Sequence, residues 1–109
     1  MNRAELWRAL AEANDAGEAA NDAFERAPSP ETRAALTAAF HAYATCLYPL
    51  IGYAEAFAYE SSLTTYDTAI GTEDEAAARD VFEAARVRLT VAVDQAIALD
   101  NERDEKSGA

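Results

Sequence analysis

The 109-residue chain holds one cysteine, one histidine, one lysine, one tryptophan and three prolines. A single cysteine excludes an internal disulfide and any cysteine-based structural zinc site, since both need several thiols. No Glu-x-x-His pair, glycine-rich phosphate loop or Gly-x-Ser-x-Gly occurs, so the usual constellations for di-iron, phosphate and acyl-transfer chemistry are missing. His41 and Cys46 stand five apart, poor spacing for a base and nucleophile on a helix. No apolar run approaches the roughly 18 residues of a membrane span. The first ten residues carry Arg3, Glu5 and Arg8 in place of a signal-peptide core. These absences predict a non-enzymatic cytoplasmic protein with no cofactor and no metal.

Positive charge is scarce as well. Nine basic residues face twenty acidic ones, for a net charge of -11 and a pI near 4.3. Between Ala34 and Ala78 there is no Lys or Arg, against six acids. Direct binding to DNA, RNA or anionic lipid needs a cationic surface, so neither nucleic acid nor membrane is an expected partner. A cationic protein is the partner that such a charge attracts.

Large apolar side chains are few. Leu, Ile, Val and Phe number 19, about 17% of the chain, a composition that together with high net charge usually marks disorder. Alanine decides otherwise: there are 28, and alanine has the highest helix propensity. The composition predicts a helical protein with a thin core.

The pattern predicts an all-α antiparallel bundle in one domain over residues 1–100. Its three helices are expected at about 3–26, 30–70 and 73–100, with a charged flexible tail at 101–109. Asn2 and Glu5 form a capping-box-like start, and Leu6, Leu10, Ala13, Gly17, Ala20 and Phe24 come after it at spacings of three and four. The small residues of that stripe suggest close approach of a facing helix, which would offset the cost of Gly17 inside a helix. Ser29 and Pro30 suit an N-cap and first helical position.

The middle helix carries Leu36, Phe40, Tyr43, Leu47, Leu50 or Ile51, Ala54, Phe57 or Ala58, and Ser61. This stripe keeps phase through Pro49 and favours a Pro-kinked continuous helix over a true break, which would give four helices. A straight middle helix, about 60 Å long, would leave apolar surface on each half, and a homodimer would close it. Gly71 suits a left-handed C-terminal cap, and Thr72 with Glu75 starts the last helix. Its core face is expected at Ala78, Val81, Phe82, Ala85, Leu89, Ala92, Val93, Ala96 and Leu99, with Glu75–Arg79 and Arg79–Glu83 as i,i+4 pairs.

Three surfaces are candidates for function. On the first helix Asp15, Glu18, Asp22 and Glu25 fall within about an 80° arc at 100° per residue, opposite the apolar stripe. Carboxylates so spaced along a rod roughly imitate a run of phosphates, and Trp7 beside them could anchor a contact. Tyr48, Tyr59 and Tyr66, spaced by eleven and seven, would share one face of a continuous middle helix. On the last helix Val87 and Val91, with Ala84 and Ala98, form a second apolar strip opposite the core face.

The leading expectation is an acidic interaction protein that binds a basic partner protein. Its sharper form is an inhibitor blocking a nucleic-acid-binding surface, of anti-defence or immunity type. The alternatives are an assembly subunit working through its apolar strips, and a bundle binding a small molecule near Pro49 among Tyr43, Tyr53 and Phe57.

Overall fold

The structure, a computed structural model, describes residues 2–108, with side chains through Arg103. Among the described residues it is all-α, with four helices in the order α1 (Arg3–Arg26), α2 (Pro30–Leu47), α3 (Tyr53–Ala69) and α4 (Glu75–Gly108). The chain divides into two compact units, Met1–Leu50 and Ile51–Ala109. The first holds α1 packed on α2, and the second α3 packed on α4.

The first unit begins and turns as its sequence dictates. The Asn2 side-chain oxygen accepts the Glu5 N–H at 2.8 Å, and its amide donates to the Glu5 carboxylate at 3.2 Å. At α2 the Ser29 hydroxyl accepts the Thr32 N–H at 3.1 Å, while the Ser29 N–H donates to the Thr32 hydroxyl at 2.9 Å. Two otherwise orphan donors are thereby satisfied reciprocally. Pro30 fills the first helical position, where no N–H is needed.

The expected α1 stripe is the covered one. Leu10 and Gly17 are buried, and Leu6, Ala13, Ala20 and Phe24 are half-buried. Opposite them α2 buries Ala44 and Leu47 and half-buries Leu36, Phe40 and Tyr43. The helices run antiparallel: the Cys46 thiol reaches the Ala9 carbonyl at 3.9 Å, and Arg3 reaches the far end of α2. Gly17 corrects one expectation, because a Cβ placed there would meet nothing within 4 Å. No close neighbour requires that glycine.

The middle helix is broken at Pro49. The continuous Pro-kinked form gives way to the four-helix alternative, and several causes coincide. Pro49 has no N–H to return to Thr45. The Leu50 N–H closes a tight turn on the Leu47 carbonyl at 2.9 Å, and Leu50 is buried. Gly52 is extended, with φ -63° and ψ 142°. The Arg3 guanidinium then donates to the carbonyls of Pro49 at 3.4 Å and Leu50 at 3.3 Å, satisfying oxygens that the break releases.

The break resets the phase of the next helix. In place of Ala54, Phe57 or Ala58, and Ser61, α3 buries Ala56, Tyr59, Ser62, Leu63 and Ala69. Phe82 of α4 sits between two tyrosines, its ring 5.6 Å from Tyr59 and 5.7 Å from Tyr66. Around this aromatic centre Ala56, Ala69, Ala78 and Ala85 are buried, and their small size lets the two helices approach closely. Gly71 has φ +84°, the left-handed conformation that ends α3 at little cost only with glycine.

Between α3 and α4 the Thr72 hydroxyl accepts the Asp74 N–H at 3.2 Å. The Glu75 carboxylate reaches back to the Gly71 N–H at 3.1 Å, so the helix opens at Glu75 and not at 73. It continues to Gly108 over the segment expected as a flexible tail, whose side chains beyond Arg103 lie outside the described residues. Of the two expected ion pairs Glu75–Arg79 forms at 3.2 Å, whereas Glu83 pairs with Arg86 at 2.8 Å. Arg79 turns instead to Tyr66, donating to its hydroxyl at 3.3 Å.

The core face of α4 is narrower than its sequence suggests. Ala78, Phe82, Ala85 and Leu89 are buried, and Ala92, Val93 and Ala96 are half-buried. Val81 and Leu99 are 60% and 54% exposed. Val81 lies about 100° around the helix from Phe82, off the face that α3 covers. Leu99 lies too far along. From the Tyr66–Phe82 contact, α3 runs only 13 residues back to its start at Tyr53, roughly level with residue 95 of an antiparallel α4.

Candidate functional site

The acidic row on α1 is built by simple division of a helix into two faces. Its apolar side is taken by α2, which leaves Asp15, Glu18, Asp22 and Glu25 all exposed on the other. Two neutral amides lie along the row: Asn14 donates to Glu18 at 3.5 Å and Asn21 to Glu25 at 3.3 Å. Among the described residues none of the four carboxylates makes an ion pair with a base. Such a row repels itself at i,i+3 and i,i+4 and presents uncompensated charge to any cationic surface. Trp7 is half-buried.

The tyrosines do not form one face, because the chain breaks between the first and the other two. Tyr48 is half-buried in the turn after α2, and Tyr66 is half-buried on α3. Tyr59 is 4% exposed, held in the α3·α4 core by Phe82. The expected co-facial set is therefore corrected to one turn residue and two rings of the α3·α4 aromatic cluster.

The strip on α4 is open along its length. Val87 and Val91 are 63% and 52% exposed, and Ala84 and Ala98 are exposed beside them. On α3 the rings of Tyr53 and Phe57 stack on one another at 5.7 Å and are also exposed. Sequence reasoning missed this pair as a surface feature. The residues of the expected small-molecule pocket are split by the break, with Tyr43 on α2 and the stacked pair on α3. Burial pushes the Tyr43 phenol above its ordinary value.

An open groove of about 860 Å³ runs along α3 and α4, lined by residues that include Ser61, Thr65, Thr68, Ala77 and Val81. Asp74 also lines it. Several hydroxyls are spent inside the helices: Ser62 donates to the Tyr59 carbonyl at 2.8 Å and Thr68 to the Thr64 carbonyl at 3.0 Å.

His41 is half-buried, and the Cys46 thiol faces the Ala9 carbonyl at 3.9 Å. Among the described residues no group of three or more His, Cys, Asp or Glu could hold a metal ion. Among them, too, no helix is long and apolar enough to cross a membrane. Comparison with protein-family models, with curated proteins and with solved structures gives no match.

Proposed function

We propose that this chain is a non-enzymatic, cytoplasmic interaction protein that binds a partner with a basic surface. One observation carries the reading: α1 spends its apolar side on α2 and keeps Asp15, Glu18, Asp22 and Glu25 exposed without a pairing base. In the sharper form the row occupies a groove that normally grips nucleic acid, and the protein is an inhibitor of anti-defence or immunity type. Carboxylates steer the encounter and face Arg and Lys of the partner.

The test is capture from a native-host extract by the immobilised protein and by its D15K/E18K/D22K variant. Wild type is expected to retain a defined basic protein at low salt and to lose it as salt rises, since screening shortens from about 10 Å at 0.1 M to 3 Å at 1 M. The triple variant is expected to retain none. Equal capture by both proteins overturns the reading.

A second reading rests on the exposed Val87 and Val91 of α4. Here the protein is an assembly subunit, in its simplest form a homodimer, and charge serves only solubility. V87D/V91D would then dissociate the assembly, and a sedimentation profile unchanged by that pair would exclude it.

A further inference from the structure

The exposed side of α4 carries a single row that both readings leave unexplained in part. Asp80, Ala84, Val87, Val91, Asp94 and Ala98 succeed one another at spacings of four, three, four, three and four. At 100° per residue they fall within about an 80° arc, and all six are exposed. The two valines sit at the centre, and a carboxylate closes the row on either side. Asp80 and Asp94 are 14 residues apart, about 21 Å along the helix. Among the described residues neither makes an ion pair. Arg88 and Gln95 border the row; no base lies on it.

That arrangement discriminates between occupants. A second copy docking through the same row brings acids onto the seam and no base to face them within the row. Paired in parallel, Asp80 and Asp94 would face their own counterparts. Paired antiparallel about the valines, they would be pressed onto alanines. Both orientations bring two carboxylates per copy to the seam against one base at its margin, Arg88, and an unpaired buried charge is strongly unfavourable. A helix from another protein avoids this if its apolar centre covers Val87 and Val91 and its Lys or Arg residues reach outward to Asp80 and Asp94. This is the helix-in-groove logic of i, i+3, i+4, i+7 anchors with charge setting the partner.

We infer that this row of α4 is a docking face for an amphipathic helix with basic flanks. The inference rests on the proposed preference for a basic partner and assigns part of that recognition to α4. The partner contact is then bipartite in kind: long-range steering by acids, and a short apolar seat that fixes register.

The test uses the full-length protein and two synthetic helical peptides with the same leucine stripe, one flanked by lysines and the other by glutamates. Fluorescence anisotropy is expected to show the lysine peptide binding at least tenfold more tightly. V87D/V91D should lose that binding at least tenfold, although the variant is more acidic than wild type. D80N/D94N should weaken it several-fold, whereas D15N/D22N, with the same change in net charge on α1, should leave it within twofold. Circular dichroism on each variant separates lost binding from lost folding.

Equal binding of both peptides, no binding of either, or equal weakening by the two Asn pairs overturns the inference. So does sedimentation of wild type as a dimer that V87D/V91D dissociates, which would seat a second copy on the row. These outcomes are distinct from failure of the proposed function, whose test acts on α1 alone.

Discussion

The α1·α2 and α3·α4 hairpins solve the same problem to different degrees. Both are built from alanine-rich helices, yet among the described residues the first leaves no large hydrophobic side chain exposed. The second leaves seven, from Ile97 at 41% to Tyr53 at 68%. Charge is divided just as unevenly: residues 1–50 hold seven acids and four bases, and residues 51–109 hold thirteen and five. The helix lengths account for part of this. In the first unit the 24-residue α1 meets an 18-residue α2, whereas in the second the 34-residue α4 meets a 17-residue α3. A helix about twice the length of its only partner in the unit cannot be covered along its length, and α4 is apolar on a second side as well. The first hairpin is closed upon itself. The second has a face to spare.

The sharpest way to break this comparison is to cut into the closed hairpin and the open face in parallel. Leu47 is 0% exposed, and Leu47→Ala should cost about 2–5 kcal/mol through lost burial and a residual cavity. Val87→Ala should change stability by no more than about 0.5 kcal/mol, because the side chain is already in water. Urea unfolding monitored by circular dichroism measures both. Equal costs would mean that the α4 face is covered in solution and that the contrast between hairpins is false.

The next effect concerns the starts of the helices. Ser29→Ala removes the hydroxyl that accepts the Thr32 N–H and leaves the backbone N–H that donates to the Thr32 hydroxyl, and should cost about 1 kcal/mol and at most about 2. Thermal melts would read that as a clear drop in Tm. An unchanged Tm would mean that Pro30 and the tight connection alone hold α2.

Gly17 should act in the opposite direction. It is helical, and a Cβ there meets nothing within 4 Å. Gly17→Ala should therefore stabilise by up to about 1 kcal/mol through helix propensity and a less flexible unfolded chain. A loss of stability would restore the close packing that the flat stripe of α1 first suggests.

These cases also separate local from long-range information in the sequence. The all-α form, the start of α1 at Asn2, the Ser29 cap and the Gly71 terminus rest on local chemistry, and local chemistry is visible in a sequence. The α1 stripe and the exposure of Asp15, Glu18, Asp22 and Glu25 come from one period on one uninterrupted helix. The break at Pro49 was not legible in this way, because the apolar phase runs through it and its stabilising partner, Arg3, lies 46 residues away. Gly52, three residues after the proline and extended at the start of α3, is the local residue that goes with the break. Once the break resets the phase, Tyr59 turns inward and Tyr53 with Phe57 turns outward. That reversal could not be seen without knowing where α3 starts.

The smallest expected effect lies at that same junction. Gly52 caps α3 with no side-chain hydrogen bond, and its φ and ψ are values that any L-residue accepts. Gly52→Ser supplies an oxygen for an N–H in the first turn, where serine exceeds glycine by only a few tenths of a kcal/mol. A Cβ would stand 2.5 Å from the Glu55 carboxylate oxygen, which is the free end of a flexible side chain and can swing aside. It gives up some interaction with the positive helix end in doing so, and the net gain should stay within a few tenths. Gly52→Ala carries the same displacement without the acceptor, so the Ser–Ala difference isolates the cap at about 1 kcal/mol. If the two variants melt together, α3 takes no benefit from a capped start, and the contrast between a well-capped first hairpin and a loosely capped second loses its energetic meaning.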